Sequence, residues 1–378
     1  MQTKQQTLSA PISFSGKGLH TGVIVNMTAH PAADNNGIVF RRVDLEGQPI
    51  VPALCEYVTD TSRGTTIEKG AAKVSTIEHI VSALWTMGVD NALIDIDGPE
   101  TPIMDGSARE YAAGIAAVGL EEQDADRKYY EVTDKIVYTI PEKGVVILIY
   151  PDDEFNVSVH VDYNSKVIGN QYATFMPEDD YQDKIASCRT FVFLHELEPL
   201  LKANLIKGGD LDNAIVVVEN PVSDEELSRL AKVFNKQDIK ITGGYLNHLE
   251  LRYTNELARH KLLDIIGDLA LIGKHDRYCS LLYSHIYKYC SISSYNVGRS
   301  VGRSPISFIL VATALHIFAL LYASTDCDGT YIGQLFELFN ALACSTDGGV
   351  TALHIMACIA VHPANVPVDN NSNVEGSM

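Results

Sequence analysis

Between Leu257 and Leu271 an apolar helical pattern is broken by three ionisable residues, His260, Asp264 and Asp268, spaced four apart. A four-residue step returns a helix to nearly the same face, so one imidazole and two carboxylates form a single stripe flanked by leucine, isoleucine and alanine. Burying such a stripe unpaired is costly, because ionised groups lose their water. A fold that accepts this helix must set a cation or a hydrogen-bond network over it. A metal ion is the economical solution; a salt-bridged stripe with Arg259 and Lys261 is the alternative.

Imidazole plus carboxylate oxygen suits zinc, and catalytic zinc takes three protein ligands and leaves a fourth position open. His260 and Asp264 supply two. The candidate for the third lies in Ser75-Thr-Ile-Glu-His-Ile-Val-Ser-Ala-Leu84, where Glu78 and His79 fall in the first turn of a helix predicted over 76–88. Adjacent helical residues diverge by about 100°. His79 can then hold the metal while Glu78 faces the water to be activated, the pairing a zinc hydrolase needs. Two structural readings compete: Ser75-x-x-Glu78 is also a capping box, and His79 taken alone is also a core histidine.

At this point the residues carry a resemblance. The chain from about Lys4 to Lys274 resembles the zinc amidase family of UDP-3-O-acyl-N-acetylglucosamine deacetylase (LpxC), which acts in lipid A synthesis. The match runs in order through Gly16-Lys-Gly-Leu-His-Thr-Gly22, Ser75-Thr-Ile-Glu-His79 and Asp97-Gly-Pro-Glu-Thr-Pro-Ile-Met-Asp-Gly-Ser107. It continues through Arg189-Thr-Phe-Val-Phe193, Gly208-Gly-Asp-Leu-Asp-Asn-Ala214 and Arg259-His-Lys-Leu-Leu-Asp-Ile-Ile-Gly-Asp268. The resemblance implies zinc on His79, His260 and Asp264, Glu78 as general base, and the Thr190 hydroxyl on the oxyanion. It also implies that Phe191 and Phe193 lie along the passage for the acyl chain. The residues 189–193 read alone are a strand edge with two core aromatics. Lys261, pointing off the metal face, is a contact for an anionic substrate or an ordinary exposed helix lysine.

After Gly273-Lys274 the motif resemblance stops. Family members continue with a strand and a Gly-His pair about two dozen residues past the aspartate ligand; that histidine is the general acid, and the residue matching Asp268 orients it. Here the stretch reads Tyr278-Cys-Ser-Leu-Leu-Tyr-Ser-His-Ile-Tyr-Lys-Tyr-Cys290, with no Gly-His, His275 too early and His285 in unrelated surroundings. Composition shifts at the same place. Residues 275–378 carry 7 acidic and 4 basic residues, against 41 and 25 before them, and hold five of the seven cysteines at spacings that match no zinc or redox motif. A frameshift or recombination explains such a break, and a lineage-specific extension is the alternative. Ile306 to Ala323 is an uncharged run of 18 residues, at the lower limit for a membrane span and interrupted by His316.

The net charge of −19 argues against nucleic acid as a partner; the resemblance implies a UDP-sugar lipid precursor as the substrate. No apolar signal core follows Met1, so the expected compartment is the cytoplasm. Strand-like alternation grouped apart from helical segments predicts an α+β fold. A charged linker near Leu120 to Tyr129 divides it into domains over 1–122 and 129–274, the second incomplete, followed by the unmatched tail 275–378. The resemblance adds that the two layered domains share one topology and pack helix face to helix face, with the metal between them.

Overall fold

Alternation sets the strands: Val157, Val159 and Val161 are fully buried while the residues between them are not, so the segment turns one face to the core. A computed structural model describes residues 3–286, apart from 142–143, 203–205, 237–238, 247–249 and 278. The apolar run Ile306 to Ala323 lies outside the described residues. Five α-helices are described: α1 (Glu78–Thr86), α2 (Arg109–Val118), α3 (Leu194–Lys202), α4 (Asp224–Val233) and α5 (Glu256–Ala270). With several sheets, this is a mixed α+β fold.

Two five-stranded sheets carry it. In one, Ile12–Lys17, Ile24–Pro31, Ile38–Arg42, Ile50–Pro52 and Ala92–Ile96 lie in the spatial order first, second, fifth, third, fourth. In the other, Ile136–Ile140, Val145–Pro151, Asn156–Asp162, Asn170–Phe175 and Cys279–Ile286 take the same order. Each central strand runs antiparallel to one neighbour and parallel to the other. Each is also the first strand of its sheet after a long buried helix, α1 in one case and α5 in the other.

Two expectations change here. The charged stretch near Leu120 is no linker: Leu120–Asp126 is a strand paired antiparallel with Lys4–Leu8, and its charges alternate because most of the strand faces solvent. The residues just past Lys274 are not outside the fold either. Cys279–Ile286 fills the middle of the second sheet between Val145–Pro151 and Asn156–Asp162, so that sheet has its central strand. The absence of charge within Cys279–Ile286 suits a strand flanked on both sides.

α1 and α5 are apolar on nearly every side, and among the residues of α5 only Arg259 escapes burial. Such helices belong in the centre of a structure. They pack on each other at Gly267, where a Cβ would lie 2.5 Å from the Glu78 carbonyl oxygen and 3.0 Å from its Cα. Glycine is required for that approach. Gly267→Ala is therefore expected to lower the unfolding free energy by about 1–3 kcal/mol through overpacking, read as a lower denaturant midpoint at unchanged slope. An unaltered midpoint would mean that the helices yield freely.

An ion pair ties the end of the Leu120–Asp126 strand to the turn after α1. Arg127 Nη2 stands 2.6 Å from Asp90 Oδ2, and His275 Nε2 lies 3.4 Å from Asp90 Oδ1. Burial pushes the Asp90 carboxyl up, but His275 and Arg127 outweigh it and hold it below its ordinary value. A depressed carboxylate contributes stability that is present above its unfolded pKa, about 3.9, and is lost as pH falls through the lower folded value. Chemical denaturation in that acid window should accordingly fall more steeply for the wild type than for Asp90→Asn.

Candidate functional site

Six sequence motifs far apart in the chain meet at the N-terminus of α1. Glu100, fully buried, accepts from His20 N–H and from the N–H and hydroxyl of Thr21, and Thr76 Oγ1 donates to it at 3.0 Å. Gly208 N–H donates to the Leu19 carbonyl, and Thr190 N–H donates to the Gly106 carbonyl at 2.7 Å. Thr76 has φ +58°, left-handed backbone that a β-branched residue adopts only when its surroundings force it. Glu100 on its hydroxyl and the Thr101 hydroxyl on its carbonyl supply that force, two residues before Glu78.

The capping-box reading does not hold. The residue before α1 is Ile77, with no side-chain cap; the Ser75 hydroxyl donates to the Pro99 carbonyl, and Glu78 Oε2 accepts the Thr65 N–H at 2.9 Å. Glu78 is thereby free of helix capping and sits 4% exposed at the contact with α5. Burial raises its carboxyl well above the ordinary range, and the neighbouring Asp264 raises it further.

His79, His260 and Asp264 offer one ligand atom each, and these lie within 4.8 Å of one another in a buried cluster. The two rings stand edge to face, 5.1 Å between centroids. His260 Nδ1 meets the Cys188 carbonyl at 3.0 Å, which fixes the proton on Nδ1 and leaves Nε2 as a lone-pair donor 3.5 Å from Asp264 Oδ1. Burial also lowers the His260 pKa and favours the neutral ring that a metal needs. Lys261 donates to Asp264 Oδ2 at 3.0 Å. The donor set therefore fits a divalent cation: two imidazoles and one carboxylate oxygen, with His260 and Asp264 each oriented from behind by another group.

Lys261 itself departs from expectation. It is 3% exposed and pairs with Asp264, so it neither faces solvent nor points away from the cluster. Arg259 is the residue that turns outward, to Asn255 and the Lys184 carbonyl. Asp268, 2% exposed, accepts from the Thr65 hydroxyl at 2.8 Å. Thr190 is half-buried two residues beyond Cys188, and Phe191–Phe193 is a strand parallel to Ile215–Val217. Phe191 and Phe193 both pack edge-on against half-buried Tyr163, whose pKa is pushed far up by desolvation of its hydroxyl and further by Asp264. His275 stacks on Trp85, six residues beyond His79 in sequence and roughly 9 Å along the helix axis. The backbone of His285 pairs with Val145 and Val161.

Sequence reasoning missed Thr65, Cys188 and Tyr163. None carries a local signal: Thr65 reaches Glu78 13 positions and Asp268 203 positions away, Cys188 reaches His260 72 positions away, and Tyr163 acts through packing.

A buried His-His-Asp cluster with a separate glutamate beside it is a donor set suited to a metal ion, set in an α+β fold. The family model for UDP-3-O-acyl N-acetylglycosamine deacetylase, LpxC, matches residues 5–236 and 234–291, and the chain belongs to this family. It is 50% identical over 272 residues to the bifunctional enzyme LpxC/FabZ of Bacteroides thetaiotaomicron, covering 72% of this chain and 59% of that one. The corresponding protein of Porphyromonas gingivalis is 48% identical over 275 residues, 72% of this chain and 60% of the relative. The UDP-3-O-acyl-N-acetylglucosamine deacetylase of Geotalea uraniireducens is 38% identical over 272 residues, covering 72% and 80%. The chain thus spans about six-tenths of the length of the bifunctional relatives.

Purified protein stripped of metal and titrated with zinc should take up one equivalent, and His260→Ala or Asp264→Ala should lose stoichiometric uptake. Metal analysis after gel filtration reads this directly. Full uptake by both variants would remove the cluster as the binding site.

Proposed function

We propose that this chain is a zinc-dependent deacetylase that removes the N-acetyl group from UDP-3-O-acyl-N-acetylglucosamine in lipid A biosynthesis. The observation that carries this reading is the placement of one buried carboxylate, Glu78, beside the His79–His260–Asp264 cluster. In this reading the two sheets of like strand order are the cores of two domains, α1 and α5 form their shared face, and the metal lies between them.

Zinc, when bound, would supply a Lewis acid that polarises the acetamide carbonyl and acidifies water. Glu78 removes a proton from the attacking water as its oxygen bonds to the carbonyl carbon. The Thr190 hydroxyl donates to the developing oxyanion. The carbon–nitrogen bond then breaks, acetate leaves, and the amine takes back the proton from Glu78. One carboxylate handles both transfers, because no Gly-His pair follows Lys274 to supply a separate acid. Chemistry without that second group is slower by a factor of about 10² to 10⁴.

Phe191, Phe193 and Tyr163 form the apolar wall that suits the acyl chain. Lys261 contributes by holding Asp264 and offers its positive charge to the substrate from behind the cluster. The UDP-sugar lipid is the partner proposed, in the cytoplasm and without nucleic acid. Among the described residues no helix is long and apolar enough to cross a membrane.

The competing reading is a zinc-binding remnant without catalysis, favoured by the missing Gly-His pair. Deacetylation of a UDP-acyl-GlcNAc substrate by the zinc-loaded full chain separates the two. We expect slow turnover that falls a further 10²-fold or more, roughly, in Glu78→Ala. One bound zinc with no turnover would establish the remnant.

A further inference from the structure

Thr65 lies in the turn between the strands Val58–Asp60 and Thr66–Lys69 and is 1% exposed. All three of its polar groups reach the two central helices. Its N–H donates to Glu78 Oε2 at 2.9 Å, its carbonyl accepts from Ile77 N–H at 3.3 Å, and its hydroxyl donates to Asp268 Oδ1 at 2.8 Å. On the other side of the same carboxylate, a Cβ on Gly64 would stand 3.0 Å from Glu78 Oε1. The turn is held from outside as well: the Arg63 carbonyl meets His20 Nε2 at 3.2 Å, and Arg63 Nη2 lies 3.7 Å from Glu196 Oε1 on α3.

We propose that Thr65 is a positioning residue for the proton-transferring carboxylate. The N–H fixes one oxygen of Glu78, so the other is the one presented to the reaction. The hydroxyl bolts the same turn to Asp268 on α5, 203 positions away, which keeps the turn from drifting off Glu78. Asp268 is thus engaged by Thr65 in a chain with no Gly-His histidine for it to orient. Nothing in the proton balance changes: Thr65 neither gives nor takes a proton, and acts only through where Glu78 stands.

The inference rests on the deacetylase reading. Two substitutions pull its shape and its hydroxyl apart. Thr65→Val keeps the branched shape and the N–H but removes the hydroxyl, whereas Thr65→Ser keeps the hydroxyl and loses the methyl. Positioning through the hydroxyl predicts that Thr65→Val lowers kcat about tenfold at unchanged KM, with Thr65→Ser within about twofold of wild type. Zinc content is expected to stay near wild type in both, while Thr65→Val, which takes a donor from buried Asp268, unfolds at a lower temperature, so kcat is compared well below both midpoints. A purely structural role lowers the thermal midpoint of Thr65→Val while leaving kcat of the folded protein at wild type, and would overturn the proposal.

Combination with Asp268→Asn gives an independent check. If the hydroxyl acts through Asp268, the double variant is no slower than the slower single one; losses that multiply overturn the assignment. Wild-type protein without turnover overturns the deacetylase reading and this inference with it. Active wild type matched by Thr65→Val overturns the inference alone.

Discussion

Everything in this structure depends on how closely α1 and α5 approach. Where Gly267 meets the backbone of Glu78, two buried helices bring Glu78, His79, His260, Lys261, Asp264 and Asp268 into one apolar enclosure. Leaving so many ionisable groups there without partners would cost more than the stability of an ordinary domain. Glu78, His260, Lys261, Asp264 and Asp268 are each met from behind instead. Cys188 holds His260, Lys261 holds Asp264, and Thr65 holds both Glu78 and Asp268. What these contacts leave over is the donor atoms of two imidazoles and one carboxylate, close enough together to hold one cation.

The second layer is built to hold strain. Thr76 occupies a backbone region that costs of order 1–3 kcal/mol for such a residue, yet it is clamped by Glu100 and Thr101 immediately before the helix that carries Glu78 and His79. The same Glu100 carboxylate secures the turn around His20 and Thr21, against which the Lys207–Gly208 backbone hydrogen-bonds. Distant loops are thus fixed by a few buried acceptors and by glycines at close backbone contacts, such as Gly208 against the Gly18 carbonyl. Rigidity of this kind is what a site for proton transfer needs, because misplacement by about 1 Å is costly in rate.

The core of this arrangement was legible in the sequence because helical spacing is local. Residues four apart must share a face, which made His260, Asp264 and Asp268 a stripe before any tertiary contact was known. The Glu78–His79 step was legible for the same reason. What escaped is what depends on partners far along the chain. Lys261 looked exposed because its position on the helix says nothing about α5 being covered almost all round. Leu120–Asp126 looked like a linker because its partner strand, Lys4–Leu8, lies at the opposite end of the region. Thr65 gave no signal, since a lone threonine in a turn acquires a role only when α1 and α5 close around it.

The break after Lys274 is the sharpest case of this limit, and its meaning differs for folding and for chemistry. Folding asks that the second sheet have a central strand, and any uncharged, strand-forming run of the right length satisfies that; Cys279–Ile286 does so in register with Val145–Pro151 and Asn156–Asp162. Chemistry asks for one imidazole at one place, and composition cannot substitute for it. His275 is committed to Trp85 and Asp90 near the other end of α1. The sequence past Lys274 thus meets the loose requirement of the fold without the Gly-His pair of the family. In the proposed reading Glu78 is then the group left to carry the proton both ways: burial, by raising its proton affinity, favours taking the proton from water and makes its return to the amine harder than it would be for an exposed carboxylate.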